Sequence, residues 1–473
     1  MAIPLFIVVF LIIVWQLWRS RSNTGLKEMN AGVQLVQEKR YAEAEAHFQQ
    51  LLTKRLPPGV EADTRRRLAD TLDVLGRPAE ANAERECVQA IIAKNPRDAK
   101  AQEARGDLLK RKHQYDEACE AFIIALEKTP ASNRPGRALI MAKLALAHYE
   151  AGRPAETIIW AEISLTSLPN PGIRRSMNGM AGISYLGQGD LERAEQYCRE
   201  ALRLSDRESN PQDAVRYLGA LAGTQYKQGQ FQEAIVACRE ARANPDGPSE
   251  VPYVTEMECL REMGHFEEAR EVMTQWRSAL VYPQPSLQRR IHAIADFAAA
   301  GIEVRAEQPD AALAFLEQAR SGFEAEAGLT ENTWPPAPQK GDDKMLLWCD
   351  ATRVAALAQR GDAQEARRLY EDVLCRVLDF PGDRGTNLGT YSTLGRAAFI
   401  LGDLAECKKL LNVYLDWKPY PVGLLSAQYW LGETHLRLGE TDAAHDCFRQ
   451  AAAPGIDSLD ARRAAARLSE LGG

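Results

Sequence analysis

The sequence predicts an all-α protein: a long array of stacked helical hairpins preceded by one membrane-crossing helix. Three observations predict it. Ala, Leu, Glu and Arg dominate wherever the chain is periodic, which favours helix over strand. An Ala-x-x-x-(Phe/Leu/Cys/Tyr)-x-x-(Ala/Leu/Val) pattern recurs behind a short turn along nearly the whole length. Ahead of the first recurrence, residues 2–18 are apolar, aromatic or proline except Gln16.

At ~1.5 Å per residue the run from Ala2 to Trp18 spans about 25 Å, slightly less than a hydrocarbon core of ~30 Å. Local thinning of the bilayer accommodates the difference. Trp15 and Trp18 stand at one end, followed by Arg19 and Arg21, as expected where a helix leaves a membrane. No Lys or Arg precedes the run and no small-x-small cleavage site follows it, so a retained anchor is favoured over a cleaved signal peptide. Arg19, Arg21 and Lys27 lie after the helix, so the positive-inside tendency expects a single-pass protein with its array in the cytoplasm. A short linker, 19–25, then joins membrane to array, with Thr24 a candidate N-cap.

Within the repeat, the clearest unit runs from Lys100 to Pro130. Gly106 and Leu109 share one helix, Tyr115 follows the turn, and Ala118, Phe122 and Ala125 recur at i, i+4 and i+7 on the next. The small residues let two antiparallel helices approach closely, while Phe122 and Leu109 fill the space beside them. The equivalent of Ala118 recurs as Ala44, Ala81, Thr157, Ala194, Ala234, Ala269, Ala312, Ala366, Cys407 and Ala444, giving eleven units with Ala118 included. The first-helix partners are Gly32, Ala69, Gly106, Ala145, Gly182, Ala222, Met257, Ala300, Val354, Gly395 and Gly432. Glycines at 76, 152, 189, 229, 264, 361, 402 and 439 each stand five residues before the second-helix position, where they end one helix before the next begins.

These residue types and spacings resemble the tetratricopeptide repeat (TPR) family over nearly everything from Leu26 to Leu471. The resemblance implies a TPR-type helical-hairpin solenoid, wound as a right-handed superhelix, with first helices lining the concave face. Units 1–8 occupy 26–325 and units 9–11 occupy 345–457, with units seven to nine departing most from the family pattern. Between them, the spacing of second-helix positions stretches to 54 residues against 35 to 43 elsewhere. The excess, a Pro/Gly-containing excursion over 326–344, is either a surface offset or a binding loop tipped by Trp334. Residues 458–473 read as a helix capping the apolar end of the stack, N-capped by Ser458 or Asp457.

Composition excludes several functions. The net charge is -7 with both signs interspersed, and the densest basic run is Arg65-Arg66-Arg67, which argues against nucleic acid. Nine scattered cysteines form no Cys-x-x-Cys, as suits reduced thiols. Cys198, Cys238 and Cys407 occupy repeat-core positions and read as compact core residues. His435 with His445, Asp446 and Cys447 is the best remaining cluster, but neighbouring residues on a helix point apart, so no metal site is expected. No phosphate loop, nucleophile elbow or zinc-protease motif occurs. The stretch 321–343, the one place for a concealed activity, lacks a histidine base. No catalytic residue, cofactor or small-molecule substrate is therefore expected.

What remains is binding. Counted in the family register, the inward first-helix positions of units four to six are Leu139, Leu146 and Tyr149, then Ile183 and Leu186 above Gly179, then Arg216 and Tyr226 with Gly219 and Gly223. An apolar stripe over glycines gives a peptide backbone close access, so proteins or peptides with apolar anchors are the expected partners. Units two and three instead present Asp63, Arg66, Asp70, Lys100, Glu103, Asp107 and Lys110. The paired lysines and asparagines of chaperone-binding family members are missing from the first three units. The expected function is a membrane-tethered scaffold that meets the lipid bilayer through 2–18. The alternative is an exported envelope-assembly or secretion factor with the array outside the cytoplasm.

Overall fold

The computed structural model describes residues 24–167, 170–205, 211–244, 250–279, 284–326, 342–379, 388–452 and 455–472. These hold twenty-three helices and no strand. The first helices of eleven hairpins are α1 (24–37), α3 (Pro58–Val74), α5 (Ala99–Arg111), α7 (Arg134–Glu150), α9 (Pro171–Gln188), α11 (Pro211–Gln228), α13 (Glu250–Met263), α15 (Pro285–Arg305), α17 (Asp342–Arg360), α19 (Leu388–Leu401) and α21 (Pro421–Arg437). The second helices are α2 (Tyr41–Leu52), α4 (Pro78–Lys94), α6 (Tyr115–Lys128), α8 (Pro154–Thr166), α10 (Leu191–Arg203), α12 (Phe231–Arg242), α14 (Phe266–Ala279), α16 (Pro309–Glu326), α18 (Ala363–Asp379), α20 (Leu404–Asp416) and α22 (Thr441–Ala451), and α23 (Leu459–Leu471) ends the chain.

One turn geometry generates all eleven hairpins. The residue five before each second-helix position has a left-handed φ: the eight predicted glycines, and Lys39, His113 and Glu307 in the hairpins without one. The following amide then bonds back to the carbonyl five residues earlier, as in Gln114 N to Leu109 O at 3.0 Å and Gln308 N to Glu303 O at 2.9 Å. This closes the first helix and aims the chain into the second. Helix starts are set by proline in the first turn of α3, α4, α7, α8, α9, α15 and α21. Side-chain caps at Asp98, Asn133, Asn170 and Asp403 satisfy early amides of α5, α7, α9 and α20.

Volume complementarity holds each hairpin together. All eleven second-helix positions, from Ala44 to Ala444, are fully buried, including Ala269, Ala312 and Ala366 in the units of weakest pattern. At four first-helix glycines a large side chain fills the space: Gly32 faces Phe48, Gly106 faces Phe122, Gly395 faces Leu411 and Gly432 faces Phe448. A methyl on Gly432 would stand 2.6 Å from the Phe448 ring. Cys198, Cys238 and Cys407 are completely buried.

The chain divides into two compact units, Met1–Asp190 and Leu191–Gly473. The division falls between α9 and α10, whereas the sequence placed the interruption at 326–344. Its physical cause lies in the C-terminal unit, where the first helices α11, α13, α15, α17, α19 and α21 each pack on the next and α21 returns to pack on α11. Contacts therefore concentrate within that ring. The terminal helix α23, N-capped by Ser458, whose Oγ accepts from Ala461 N at 3.1 Å, packs on α21 and α22 and also reaches α13.

The predicted membrane helix 2–18, most of the 19–25 linker and the greater part of the excursion, Trp334 included, lie outside the described residues. Among the described residues no helix is long and apolar enough to cross a membrane.

Candidate binding site

In the N-terminal unit, the inner charges of α3 and α5 neutralise one another and recruit a lysine from α7. Arg66 bonds Asp63 at 2.7 Å and Asp70 at 3.1 Å, and lies 3.3 Å from Asp107. Lys143 on α7 bonds both Glu103 and Asp107 at 2.7 Å. Burial pushes the Glu103 carboxyl up, but Lys143 and Lys100 outweigh it and hold it down at about 2. Asp63 is likewise held below the carboxylate range, because Arg66 and Arg67 overcome its burial. Burial wins at Asp70, whose carboxyl is raised. A face so fully engaged offers few charges to a partner.

On α7 and α9 of the same unit, Leu139, Leu146, Tyr149, Ile183 and Leu186 are all partly buried, above the buried Gly179. Arg216 and Tyr226 belong to the C-terminal unit. Arg216 is exposed, bonds Asp213 on its own helix and lies 5.5 Å from the Tyr217 ring. Tyr226 is partly buried and lines a chamber.

That chamber, a partly open space of about 590 Å³, is lined mainly by the ring of first helices in the C-terminal unit. Its volume is in the range of sites that bury a small ligand or a short peptide segment. Ile294 and Phe297 from α15, Met345 and Trp348 from α17, and Val422 and Trp430 from α21 supply an apolar wall. Lys227, Glu258, Arg261, Glu262, Arg305 and Arg396 supply charge.

The same inward register used for units four to six, continued into units seven to eleven, names much of this lining. It gives Val254, Glu258 and Arg261, then Ile294, Phe297 and Gly301, then Trp348 and Ala355, then Gly389, Ser392 and Arg396, then Ser426. The sequence signal for the chamber was therefore present. What the sequence did not contain was a sign that these faces close on one another.

Closure has identifiable parts. Arg305 Nη1 bonds the Asp460 carboxylate at 2.9 and 3.1 Å, and Nη2 bonds Glu262 at 3.3 Å. Burial pushes the Asp460 carboxyl up, but Arg305 overcomes it and holds it below the carboxylate range. Arg462 bonds the Met263 carbonyl, Arg463 bonds Glu307 at 3.2 Å, and Lys227 bonds the Tyr420 hydroxyl at 3.2 Å. Ile456 packs over the turn at Gly229, where a methyl would collide at 2.7 Å.

Inside, burial and the neighbouring Arg305 push Arg396 down to about 10, which leaves it charged near neutrality. Burial raises the Glu258 carboxyl and lifts the Tyr226 phenol well above its usual range. None of the nucleophile and base arrangements of covalent catalysis is assembled among the chamber residues described here. Elsewhere, His435 is engaged by Glu440, and His445 by Arg449 at 3.1 Å. Among the described residues no group of three or more His, Cys, Asp or Glu could hold a metal ion.

Helical hairpins repeated in one phase, with a concave lining of first helices, define an all-helical repeat solenoid. Family models of the tetratricopeptide repeat match residues 103–170, 173–244, 347–372 and 425–450, so the chain carries tetratricopeptide repeats. Solved structures with a similar fold include the apo form of RapI, 10% identical, covering 78% of this chain and 98% of that one with a TM-score of 0.51. A tetratricopeptide repeat protein from Parabacteroides merdae is 15% identical over 63% of this chain and 99% of that one, with a TM-score of 0.40. Yeast Tom70 is 13% identical over 95% and 96%, with a TM-score of 0.39. No curated protein sequence matches the chain.

Proposed function

We propose that this protein is a membrane-tethered scaffold that holds partner proteins or peptides on the inner faces of its repeats and catalyses no reaction. The observation that carries the binding half is the chamber of about 590 Å³, walled by aromatic and aliphatic side chains of successive first helices with a few charges among them. Such a lining suits a chain segment with apolar anchors. The apolar positions on α7 and α9, with Tyr149 at their edge, supply a second docking face in the N-terminal unit. Two faces on one chain raise the effective concentration of one bound partner near another.

The tethering half rests on residues 2–18, with Trp15 and Trp18 at their end and Arg19 and Arg21 behind them, and the charge bias supports an array on the cytoplasmic side. Three experiments test the proposal. The full chain sediments with membranes after a high-salt wash, whereas a chain lacking residues 1–22 stays in the supernatant; sedimentation of both would remove the anchor. Protease added outside spheroplasts leaves the array intact, and digestion there would favour the exported alternative. Tyr149→Ala with Tyr226→Ala weakens partner crosslinking in cells while helicity is retained. Unchanged crosslinking would reject these inner faces as the docking surface.

A further inference from the structure

The chamber's charges do not balance, and the imbalance has an address. Among the described residues four cations line it, Lys227, Arg261, Arg305 and Arg396, against Glu258 and Glu262 in the lining and Asp460 behind it, leaving one cation in excess among them, within a chain whose net charge is -7. Arg305 takes Asp460 and shares Glu262 with Arg261, which bonds it at 2.8 Å. Glu258 lies in the field of Arg261 and Lys227, and its burial raises its pKa. Arg396 has no carboxylate partner among the described residues. Its Nη2 donates to the Val304 carbonyl at 3.1 Å, and its Nε is buried without an acceptor.

A second donor in the same wall is equally unmatched. The Trp430 ring centroid lies 5.1 Å from the Arg396 guanidinium, and its buried indole N–H has no acceptor among the described residues. A guanidinium packed over an indole ring, each with a buried N–H lacking an acceptor, calls for an acceptor with two oxygens and a negative charge, which a carboxylate supplies. The wall beyond them is apolar, formed by Phe297, Met345 and Trp348. Neither a cationic ligand nor a purely apolar one would answer both donors.

Resting on the peptide-binding reading above, we propose that the chamber selects a peptide segment carrying an Asp or Glu side chain beside large apolar residues. The acidic side chain pairs with Arg396 and Trp430, and its apolar neighbours pack against Phe297, Met345 and Trp348. Binding then completes the chamber's charge balance, which makes acidity a condition of entry as well as a contact.

The test uses the full chain and fluorescently labelled peptide pools, about ten residues long, with a fixed centre of Leu-Glu-Phe, Leu-Gln-Phe or Leu-Lys-Phe and randomised flanks. The Glu pool binds at least about ten-fold tighter than the Gln pool, as expected for a desolvated charge-assisted pair, and the Lys pool binds weakest. Arg396→Met removes the Glu-over-Gln preference while the circular dichroism spectrum and Tm are kept. If that variant melts early, Arg396→Lys retains the charge and narrows the preference, and the comparison of pools on the unaltered chain stands by itself. Equal binding of the Glu and Gln pools overturns the inference and leaves the scaffold standing. A preference that survives in a folded Arg396→Met chain puts the acid elsewhere and also overturns it. If no pool binds while partners still crosslink to the array in cells, the inference fails alone; if neither binding nor crosslinking occurs, both readings fall.

Discussion

Arg305 on α15 and Asp460 on α23 stand 155 residues apart in sequence and meet in a buried ion pair, with Nη1 of the arginine 2.9 Å from Oδ2 of the aspartate. Only 8% and 1% of these residues are exposed, so neither charge has water to fall back on. The pair joins the terminal helix to the middle of the array and fixes the ring that lines the chamber. Asp460→Asn removes the negative charge opposite Arg305 and leaves Glu262, at 3.3 Å, as its one bonded carboxylate among the described residues. The variant is expected to lose about 3 kcal/mol of stability, read by denaturant unfolding, and to exchange amide hydrogens faster in α13, α15 and α23.

Two glycines of one repeat type respond differently to the same methyl group. Gly106 faces the Phe122 ring within 2.5 to 2.7 Å of where a Cβ would sit, so Gly106→Ala overpacks the hairpin and loses about 2 kcal/mol. Gly76 has open space around it and a φ of 76°, so Gly76→Ala suffers only the left-handed backbone penalty of about 1 kcal/mol. Thermal unfolding of both variants checks the order. Equal losses would show that sterics at Phe122 do not decide the hairpin's closure.

Acid should loosen the N-terminal unit before other causes intervene. Glu103 has a folded pKa of about 2 against an ordinary 4.5, so its contribution is complete above about pH 4.5 and disappears as pH falls toward 2. Asp63, also depressed, adds in the same direction, whereas Asp70 is raised and offsets part of the effect. Urea midpoints measured between pH 6 and pH 3 should fall, as ~1.4 kcal/mol per unit of pKa shift requires. In Glu103→Gln the fall should be shallower.

The lysine that joins this network is sensitive for the same reason. Lys143→Met removes the partner of both Glu103 and Asp107 while keeping most of the aliphatic stem. A loss of about 2 to 3 kcal/mol is expected at neutral pH, shrinking in acid as Glu103 protonates. A loss independent of pH would mean that packing of the stem, rather than charge, is what Lys143 contributes.

The hairpins were legible because their determinants are local. A small residue at Ala118, a turn residue five positions earlier and a ring at Phe122 fall within ten residues and recur in phase. Even the hairpins without a turn glycine follow, since Lys39, His113 and Glu307 adopt the same left-handed φ. The chamber was half legible. Tyr226 belongs to it, and the inward register that selects Tyr226 also selects Glu258, Phe297, Trp348 and Arg396 further along. Nothing local marks the pairing of Arg305 with Asp460, or of Lys227 with Tyr420 almost two hundred residues later, because closure depends on small rotations accumulated over many hairpins. Arg396 in isolation is one arginine among many. Its significance comes from having no carboxylate opposite it among the described residues, which only the folded ring determines.

The most direct test of the account is site-specific photo-crosslinking in intact cells, with a benzoyl-phenylalanine placed at Trp348 in the chamber or at Ile159 on an exposed face of α8. The account predicts discrete polypeptide adducts from position 348, diminished by Arg396→Met, and few or none from position 159. Adducts from position 159 alone would contradict it, since partners would then be held on the outer helices and the chamber would not be a binding site.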